Sequence, residues 1–544
     1  MDRIISARRE TVLRAYEHAK AENYLRYLEG DDKATSEYIY ENQIMDANYI
    51  VNAFYQNHRR VISITKKTKV GADGLMIEIA KILTTHSDDH FVVNLSNVRI
   101  ITGMSNAGWE KDMIEKAPAC FKDKIFHHGK LSRADLTNMR NGLIIIDEID
   151  TGDKEFQVLH NTLKEAGVLD IHHMEANNNR FVFISATMIK ELYHLYQWGE
   201  LHELYKMTIP ESYVGHIDFL RKNLIKEFYS LEDPKDAEMW VQEDILDYYG
   251  MEYRVHIVRV NQKTVDIVQN ECIRKGIVFR NHTSTDRLTE EEIQEFFKEP
   301  LNNHIVLGVK GFFRRANLIP NRWKMRIGST HELYTTRVDN NVQIQGLVGR
   351  MTGYWRDVIE SGFKTGPHRT SMKAIEEYEE SYHDPFGCIS YSTSGFTKKN
   401  GKISTNEATM LSSHNIDGLV PIELPIMHHP CARKILIMNI TEEDKRQIDE
   451  WTARKTKIRE VLKIAKEKMK EVIELYKEYE PHFWNMDTEE KCEKWGYHKM
   501  KEDNSYSTTT NVHKEIRSNN VLMIYIHDLE VIFSPWNGER LIEV

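Results

Sequence analysis

Cysteine is scarce in this sequence of 544 residues: there are five, at 120, 272, 388, 431 and 492, with no Cys-x-x-Cys pair. Their scatter excludes a disulfide framework and a paired-cysteine zinc module, and it points to a reducing compartment. Long apolar runs are missing too, since no uncharged stretch approaches the roughly 18 residues of a membrane-spanning helix. The opening residues, MDRIISARRETVLRAYEHAK, carry charge throughout and lack the apolar centre of a signal peptide. No low-complexity tract occurs, nor any repeat with a period of about 20–50 residues. A basic excess is also absent: 73 Lys and Arg stand against 83 Asp and Glu, a formal net charge of −10. That balance argues against indiscriminate coating of nucleic acid but leaves room for a local basic track. The expectation is an intracellular protein that is not secreted and has no membrane partner.

What is present is ample apolar material, 41% of the residues, in a chain too long for one core. Four parts are predicted: a helical segment over 1–55, an α/β half over 56–230, a second over 231–400, and an extension over 401–544. In the first half, short apolar runs alternate with helical patterns: VISI, HFVVNLS, VRIITGMS, LIIIDEID and RFVFISAT. In the second half the runs are YRVHIVRVN, KGIVFRN, NHIVLGVKG and WKMRIGSTHE. Continuous apolar strands that end in small polar residues belong to parallel sheets buried on both faces. The fold class predicted is therefore α/β, with two parallel-sheet halves. The extension reads as α+β, with a long charged helix at about 441–480 and strands in NVLMIYIHD and EVIFSPWNG.

The chemistry-bearing residues sit at the strand ends. GLIIIDEIDTGD (142–153) places Asp147 and Glu148 at the carboxyl end of a buried strand, where open α/β sheets bind ligands. One such carboxylate can hold Mg²⁺ while its neighbour orients an attacking water. The plainer alternative is an acidic pair satisfying a helix N-terminus. FVFISATM ends another strand in Ser185, Ala186 and Thr187, a helix cap or a relay to the acids. TKKTKVGADG (65–74) lies between the strand VISI and the amphipathic run LMIEIAKILTTH, the setting of a phosphate-cradling loop. NNVQIQGLVGRMTGYW supplies Gln345 and Arg350 from the second half.

These motifs in this order, together with ITGMSNAGWEKDM (101–113), resemble a superfamily 2 helicase of the DEAD/DEAH-like kind, in particular its divergent members encoded by large DNA viruses. The resemblance spans roughly residues 56–370. It implies two RecA-like lobes that clamp ATP and Mg²⁺ between them, with single-stranded DNA or RNA crossing both lobes. By the same resemblance Asp147 is the magnesium carboxylate, Glu148 activates water, and Arg350 and Gln345 face the nucleotide from the second lobe. Lys67, Thr68, Lys69, Gly71, Ala72, Asp73 and Gly74 form the phosphate loop, and Ser185, Ala186 and Thr187 couple hydrolysis to movement. A cytoplasmic, virus-factory or virion location is implied as well, with other viral proteins as partners of the extension.

The pattern departs from the family at the cations. Ala72 stands where the family has its phosphate lysine, and Asp73 where it has a magnesium-binding Thr or Ser. Losing the lysine removes a contact worth about 1.5–3 kcal/mol. A carboxylate about 5 Å from a phosphate charge adds roughly 3 kcal/mol of repulsion at an effective dielectric of 20. Lys66, Lys67 or Lys69 can fold back to replace the missing cation, with Lys67 and Lys69 the expected stand-ins, and Asp73 can bind Mg²⁺ itself. Otherwise the loop merely joins strand to helix. Position 353, where the family carries an arginine finger, is glycine, and Arg356 can serve one turn further on if the segment is helical.

Nucleic-acid contacts are expected from Thr102, Ser105 and Trp109 in the first half, with Trp109 equally a core residue. In the second half they are expected from Arg314, Arg315, Arg322, Trp323 and Lys324. Two functions remain open: an ATP-dependent helicase or translocase, and a catalytically silent protein of the same fold that binds nucleic acid or scaffolds other proteins. A GTP-dependent switch is not supported, because no Asn-Lys-x-Asp occurs.

Overall fold

The structure, a computed structural model, describes residues 2–399 except 32, 57, 87–90, 106, 153–156, 169, 193–197, 199, 284–285, 299–300, 312–318, 386–387 and 389, and beyond them the strand backbones at 402–405, 434–439, 521–527, 530–536 and 542–543. Two helices open the chain, α1 (Asp2–Leu28) and α2 (Glu41–Gln56), as the composition of 1–55 predicts. The first lobe is built on six parallel strands: β1 (Val61–Thr65), β2 (Val98–Thr102), β3 (Ile125–Phe126), β4 (Leu143–Asp147), β5 (Arg180–Ser185) and β6 (His202–Lys206). Their order is β3-β2-β4-β5-β1-β6. Every residue of β1, β4 and β5 is buried, which is why their sequences are unbroken apolar runs rather than alternating ones. Thr65 pairs with Ser185 and Asp147 with Ile184, so the loop after β1, the acids after β4 and the Ser-Ala-Thr after β5 emerge on one edge.

Helix α3 (Ala72–Thr85) leaves that edge and buries Leu75, Ile79, Ile82 and Leu83, the stripe its sequence spacing predicts. Both α1 and α2 pack on α3. After β6 the chain forms a short ribbon, with β7 (Tyr213–Val214) antiparallel to β13 (Gly353–Tyr354) of the second lobe. The second lobe is again six parallel strands: β8 (Ile225–Glu227), β9 (Val255–Arg259), β10 (Val278–His282), β11 (Ile305–Val309), β12 (Ile327–His331) and β14 (His368–Thr370). Their order is β10-β11-β9-β12-β14-β8. The protein is thus α/β with two tandem RecA-like lobes. One apolar cluster runs from Ile144 and Phe181 through Val214, Phe219 and Ile344 to Ile257 and Ile327, so the lobes share a core.

Three expectations change. β8 pairs with β14, so the second sheet already takes in residues 225–227, upstream of the boundary expected at 230. HFVVNLS is not a strand: Phe91 and Val93 are buried from an irregular segment, and a single 3-10 turn covers Leu95–Asn97. A short apolar run can fill a core without pairing, and here the Phe91 ring carries the Arg180 guanidinium at 4.1 Å. β15 (Ser390–Thr393), β16 (Phe396–Lys399) and β17 (Lys402–Thr405) form one antiparallel meander that straddles the boundary expected at 400. In the extension β18 (Lys434–Asn439), β19 (Val521–His527), β20 (Glu530–Trp536) and β21 (Ile542–Glu543) make an antiparallel sheet, and the helix expected at 441–480 lies outside the described residues. No helix among the described residues is long and apolar enough to cross a membrane.

Candidate nucleotide cleft between the lobes

The loop after β1 keeps the parallel ladder for one residue more, since Lys66 N–H donates to Ser185 O at 3.2 Å. It then turns through left-handed Lys69 (φ 57°) and Gly71 (φ 89°) into α3. A Cβ at Gly71 would lie 2.1 Å from Gln43 Nε2, and one at Gly74 would lie 2.2 Å from Gln43 Oε1. The left-handed φ of Gly71 calls for glycine, a side chain at Gly74 would displace the amide of Gln43, and Gln43 Nε2 donates to Gly71 O at 2.7 Å. Other loop carbonyls accept from the linker and second lobe. Thr68 O takes Tyr213 OH at 2.6 Å and Thr352 Oγ1 at 3.0 Å, and Val70 O takes Tyr354 OH at 2.6 Å.

The acidic pair is engaged on every side. Lys66 Nζ stands 3.3 Å from Asp147 Oδ1 and 3.2 Å from Glu148 Oε1. Trp109 Nε1, from helix α4 (Ala107–Lys116), donates to Asp147 Oδ2 at 2.9 Å. Glu148 turns out of the strand in the left-handed region, φ 54°, a strained conformation for a non-glycine residue. Its Oε2 accepts from Gln345 Nε2 of the second lobe at 3.2 Å, and Gln345 Oε1 accepts from Arg350 Nη2 at 3.1 Å. Burial, only partly offset by Lys66, pushes the Asp147 carboxyl up. Burial alone would depress the Lys66 ammonium, but Asp147 and Glu148 hold it above its ordinary value.

Ser185 and Thr187 meet the other acid of the motif. Ser185 Oγ donates to Asp150 Oδ1 and Thr187 Oγ1 to Asp150 Oδ2, each at 2.8 Å, with Ala186 buried between them. Asn341 Nδ2 of the second lobe donates to Thr187 O at 3.3 Å. Thr187 thus joins Asp150, through its hydroxyl, to the second lobe, through its carbonyl.

Several predicted residues go elsewhere. Lys67 points away from the cleft: its Nζ is 2.7 Å from Glu379 Oε2 and 3.9 Å from the centre of the Tyr382 ring. It tethers the loop to the second-lobe helix Met372–His383 instead of standing in for a phosphate cation. Asp73 lines the cleft and is ion-paired with Lys116 of α4, so a cation already answers its charge. Lys116 outweighs burial and holds its carboxyl below the usual range. Arg356 is not a finger, because β13 replaces the expected helical turn and carries Arg356 to Asp218, at 3.0 Å, and to Tyr213 O, at 2.6 Å. Thr102 is fully buried and donates to Asp147 O at 2.8 Å, which removes it from any nucleic-acid track. Ser105 is exposed, Trp323 stacks on Phe297 at 4.4 Å, and Lys324 is buried. Arg314 and Arg315 lie outside the described residues.

A cleft of about 1710 Å³ gathers the rest: Thr68, Lys69, Gly71, Ala72, Asp73, Gly74, Asp147, Glu148, Gln345 and Arg350 all line it, as does Lys66. Fourteen of its lining residues are Lys or Arg and seven are Asp or Glu, the reverse of the balance in the whole chain. Such a cleft concentrates anions. Asp147 Oδ1 is buried and accepts no hydrogen bond, which suits it to a magnesium ion that arrives on phosphates. Among the described residues no group of three or more His, Cys, Asp or Glu could hold a metal by itself.

Sequence reasoning named Lys66 but preferred Lys67 and Lys69. The signal that separates them is the ladder: one step past β1, Lys66 stays in register beside Ser185. Trp109 is the core residue of the plainer reading, buried in the apolar cluster of the first lobe, and its indole N–H also donates to Asp147. Gln43 and Asn341 carried no sequence signal.

No family model matches the sequence, and no curated protein does. Among solved structures the chain is similar to Saccharomyces cerevisiae Dbp5 bound to RNA and ADP BeF3, with 11% identity over 65% of this chain and 93% of that one and a TM-score of 0.36. The Escherichia coli DEAH/RHA helicase HrpB gives 10% identity over 67% of this chain and 48% of that one, with a TM-score of 0.38. A DEAD box protein from Methanococcus jannaschii gives 13% over 63% and 95%, with a TM-score of 0.32. At such identities and scores, the roles of this chain's residues rest on their own geometry.

Proposed function

We propose that the protein is an ATP-dependent translocase or helicase of the superfamily 2 type, acting on single-stranded DNA or RNA and hydrolysing ATP between its lobes. The observation that carries this reading is the cross-lobe bond from Gln345 Nε2 to Glu148 Oε2, continued to Arg350. It supports the reading because Glu148, a residue suited to orient water, stands on a path to a buried cation of the other lobe, as phosphoryl transfer needs. Lys66, Lys69 and Arg350 would hold the phosphates, with Lys66 replacing the loop lysine missing at 72. Asp147 would hold a magnesium ion, which when bound neutralises charge on the phosphates. Asp150, Ser185, Thr187 and Asn341 would pass the state of the cleft between the lobes. The test is ATP turnover stimulated by single strands and lost in Glu148→Gln; a native preparation with no turnover above that variant at millimolar ATP defeats the reading.

One observation favours a second reading, a catalytically silent binding or scaffold protein. Lys66 already sits between Asp147 and Glu148, so part of the charge of the acids is answered without a metal. On that reading the native chain does not bind ATP, and binding appears only in Ala72→Lys/Asp73→Thr.

A further inference from the structure

The second lobe lacks the cation that position 353 would bring, yet the space is not vacant. Gly353 has φ 136°, and a Cβ built on it would lie 2.8 Å from Lys324 Nζ. A side chain at 353 and the present placement of Lys324 are therefore mutually exclusive. Lys324 comes from the short helix Asn321–Lys324, and its side chain is buried in the wall of the same cleft as Arg350 and Glu148. Its ammonium donates to Asn321 Oδ1 at 2.9 Å and to Thr352 O at 2.7 Å, both neutral acceptors.

An ammonium has three donors, so one remains for a ligand. No carboxylate pairs with Lys324 among the described residues, and the charge that acts on its ammonium is that of Arg350, of the same sign. Buried cations are normally paired, because desolvation without a counter-charge is costly. A buried amine beside Arg350, with no carboxylate against it among the described residues and a third donor whenever it is protonated, suits a site completed by an anion.

We propose that Lys324 supplies from another element the second-lobe cation that Gly353 cannot, so that Lys324 and Arg350 together grip the terminal phosphate of a nucleotide in the cleft. This rests on the nucleotide reading above and adds to it a residue that the 353 position alone would have hidden. Burial and Arg350 bring the Lys324 ammonium down to about 7, consistent with a cation waiting for its counter-charge.

The experiment compares native protein, Lys324→Met and Lys324→Arg, each checked for an unchanged melting transition. ATP turnover and the affinities for ATP and ADP are measured separately. The expected result is a fall in kcat of about tenfold or more in Lys324→Met, with ADP affinity within about twofold and recovery in Lys324→Arg. Turnover in Lys324→Met equal to native overturns the proposal while leaving the ATPase reading intact. If native protein hydrolyses nothing, the ATPase reading fails, and the proposal is then decided by binding. A lower ATP-to-ADP affinity ratio in Lys324→Met supports it, and an unchanged ratio, or no ATP binding by native protein, overturns it. Should Lys324→Met not fold, Lys324→Gln and Lys324→Arg carry the same comparison.

Discussion

Lys66 and Glu148 are joined by a 3.2 Å ion pair that closes the loop after β1 onto the acidic strand end. The same ammonium reaches Asp147, so a single buried cation answers two buried carboxylates. Removing one member of such a cluster leaves uncompensated charge in the interior, which costs about 3–5 kcal/mol. Lys66→Met is therefore expected to lower unfolding free energy by an amount of that order in urea titrations. It should also weaken ATP binding by at least about tenfold, the loss of one charge-assisted contact. Lys67→Met, which breaks only the tether to Glu379, should leave ATP affinity within a few-fold and so separates the two lysines.

Gln345 is a neutral bridge between an acid and a base of opposite lobes. Gln345→Glu puts a second carboxylate about 3 Å from Glu148, a repulsion of roughly 5 kcal/mol at an effective dielectric of 20, part of which Arg350 beside it offsets. The lobes should part, and small-angle scattering should show a larger radius of gyration than in the native protein. Gln345→Ala removes the bridge without adding charge and should leave the radius near the native value. Equal radii in native and Gln345→Glu proteins would show that this contact does not hold the lobes together.

Asp73 illustrates why the sequence and the structure weigh the same residue differently. Read alone, a carboxylate in a phosphate loop is a liability of about 3 kcal/mol per neighbouring charge. Paired with Lys116, it contributes little net field to the cleft. Removal of both partners, in Asp73→Thr/Lys116→Met, should accordingly change ATP affinity by no more than about threefold, measured by calorimetry; a gain of two orders of magnitude would mean the pairing does not shield the site. The sign of its pH effect is fixed as well. Its carboxyl is held below the ordinary value, so its stabilisation is present above the unfolded pKa and is lost as pH falls through the folded one.

The two sheets and the edge that carries the site were legible because β1, β4 and β5 are buried along their whole length and cannot be anything but apolar. The acids followed, since the end of such a run is where polar residues must begin. What could not be read was set by tertiary direction. Lys66, Lys67 and Lys69 are neighbours in a row, and only the ladder to Ser185 and the second-lobe helix decide that one turns to Glu148 and another to Glu379. Arg322, Trp323 and Lys324 read as one basic patch, yet Arg322 is exposed, Trp323 lies on Phe297 and Lys324 is buried beside Gly353. The two-residue β3 is too short for any periodicity to announce it.

Proton uptake gives a reading of the cleft that does not depend on turnover. The Lys324 ammonium, at about 7 against an ordinary 10.5, is largely neutral at pH 8 in the free protein. The unfolded chain holds that proton and the folded chain does not, so this residue makes stability rise with pH between about 7 and 10.5, with no slope from it below 7. An anion placed against the amine favours its charged form and draws the proton back. ATP binding at pH 8 should therefore take up protons, seen as a dependence of the calorimetric enthalpy on the ionisation enthalpy of the buffer. Lys324→Arg, charged throughout, should take up fewer, by up to about one proton. Lys69 continues to contribute in that variant, because burial also depresses its ammonium. Identical uptake by native protein and Lys324→Arg would place the bound phosphates away from residue 324.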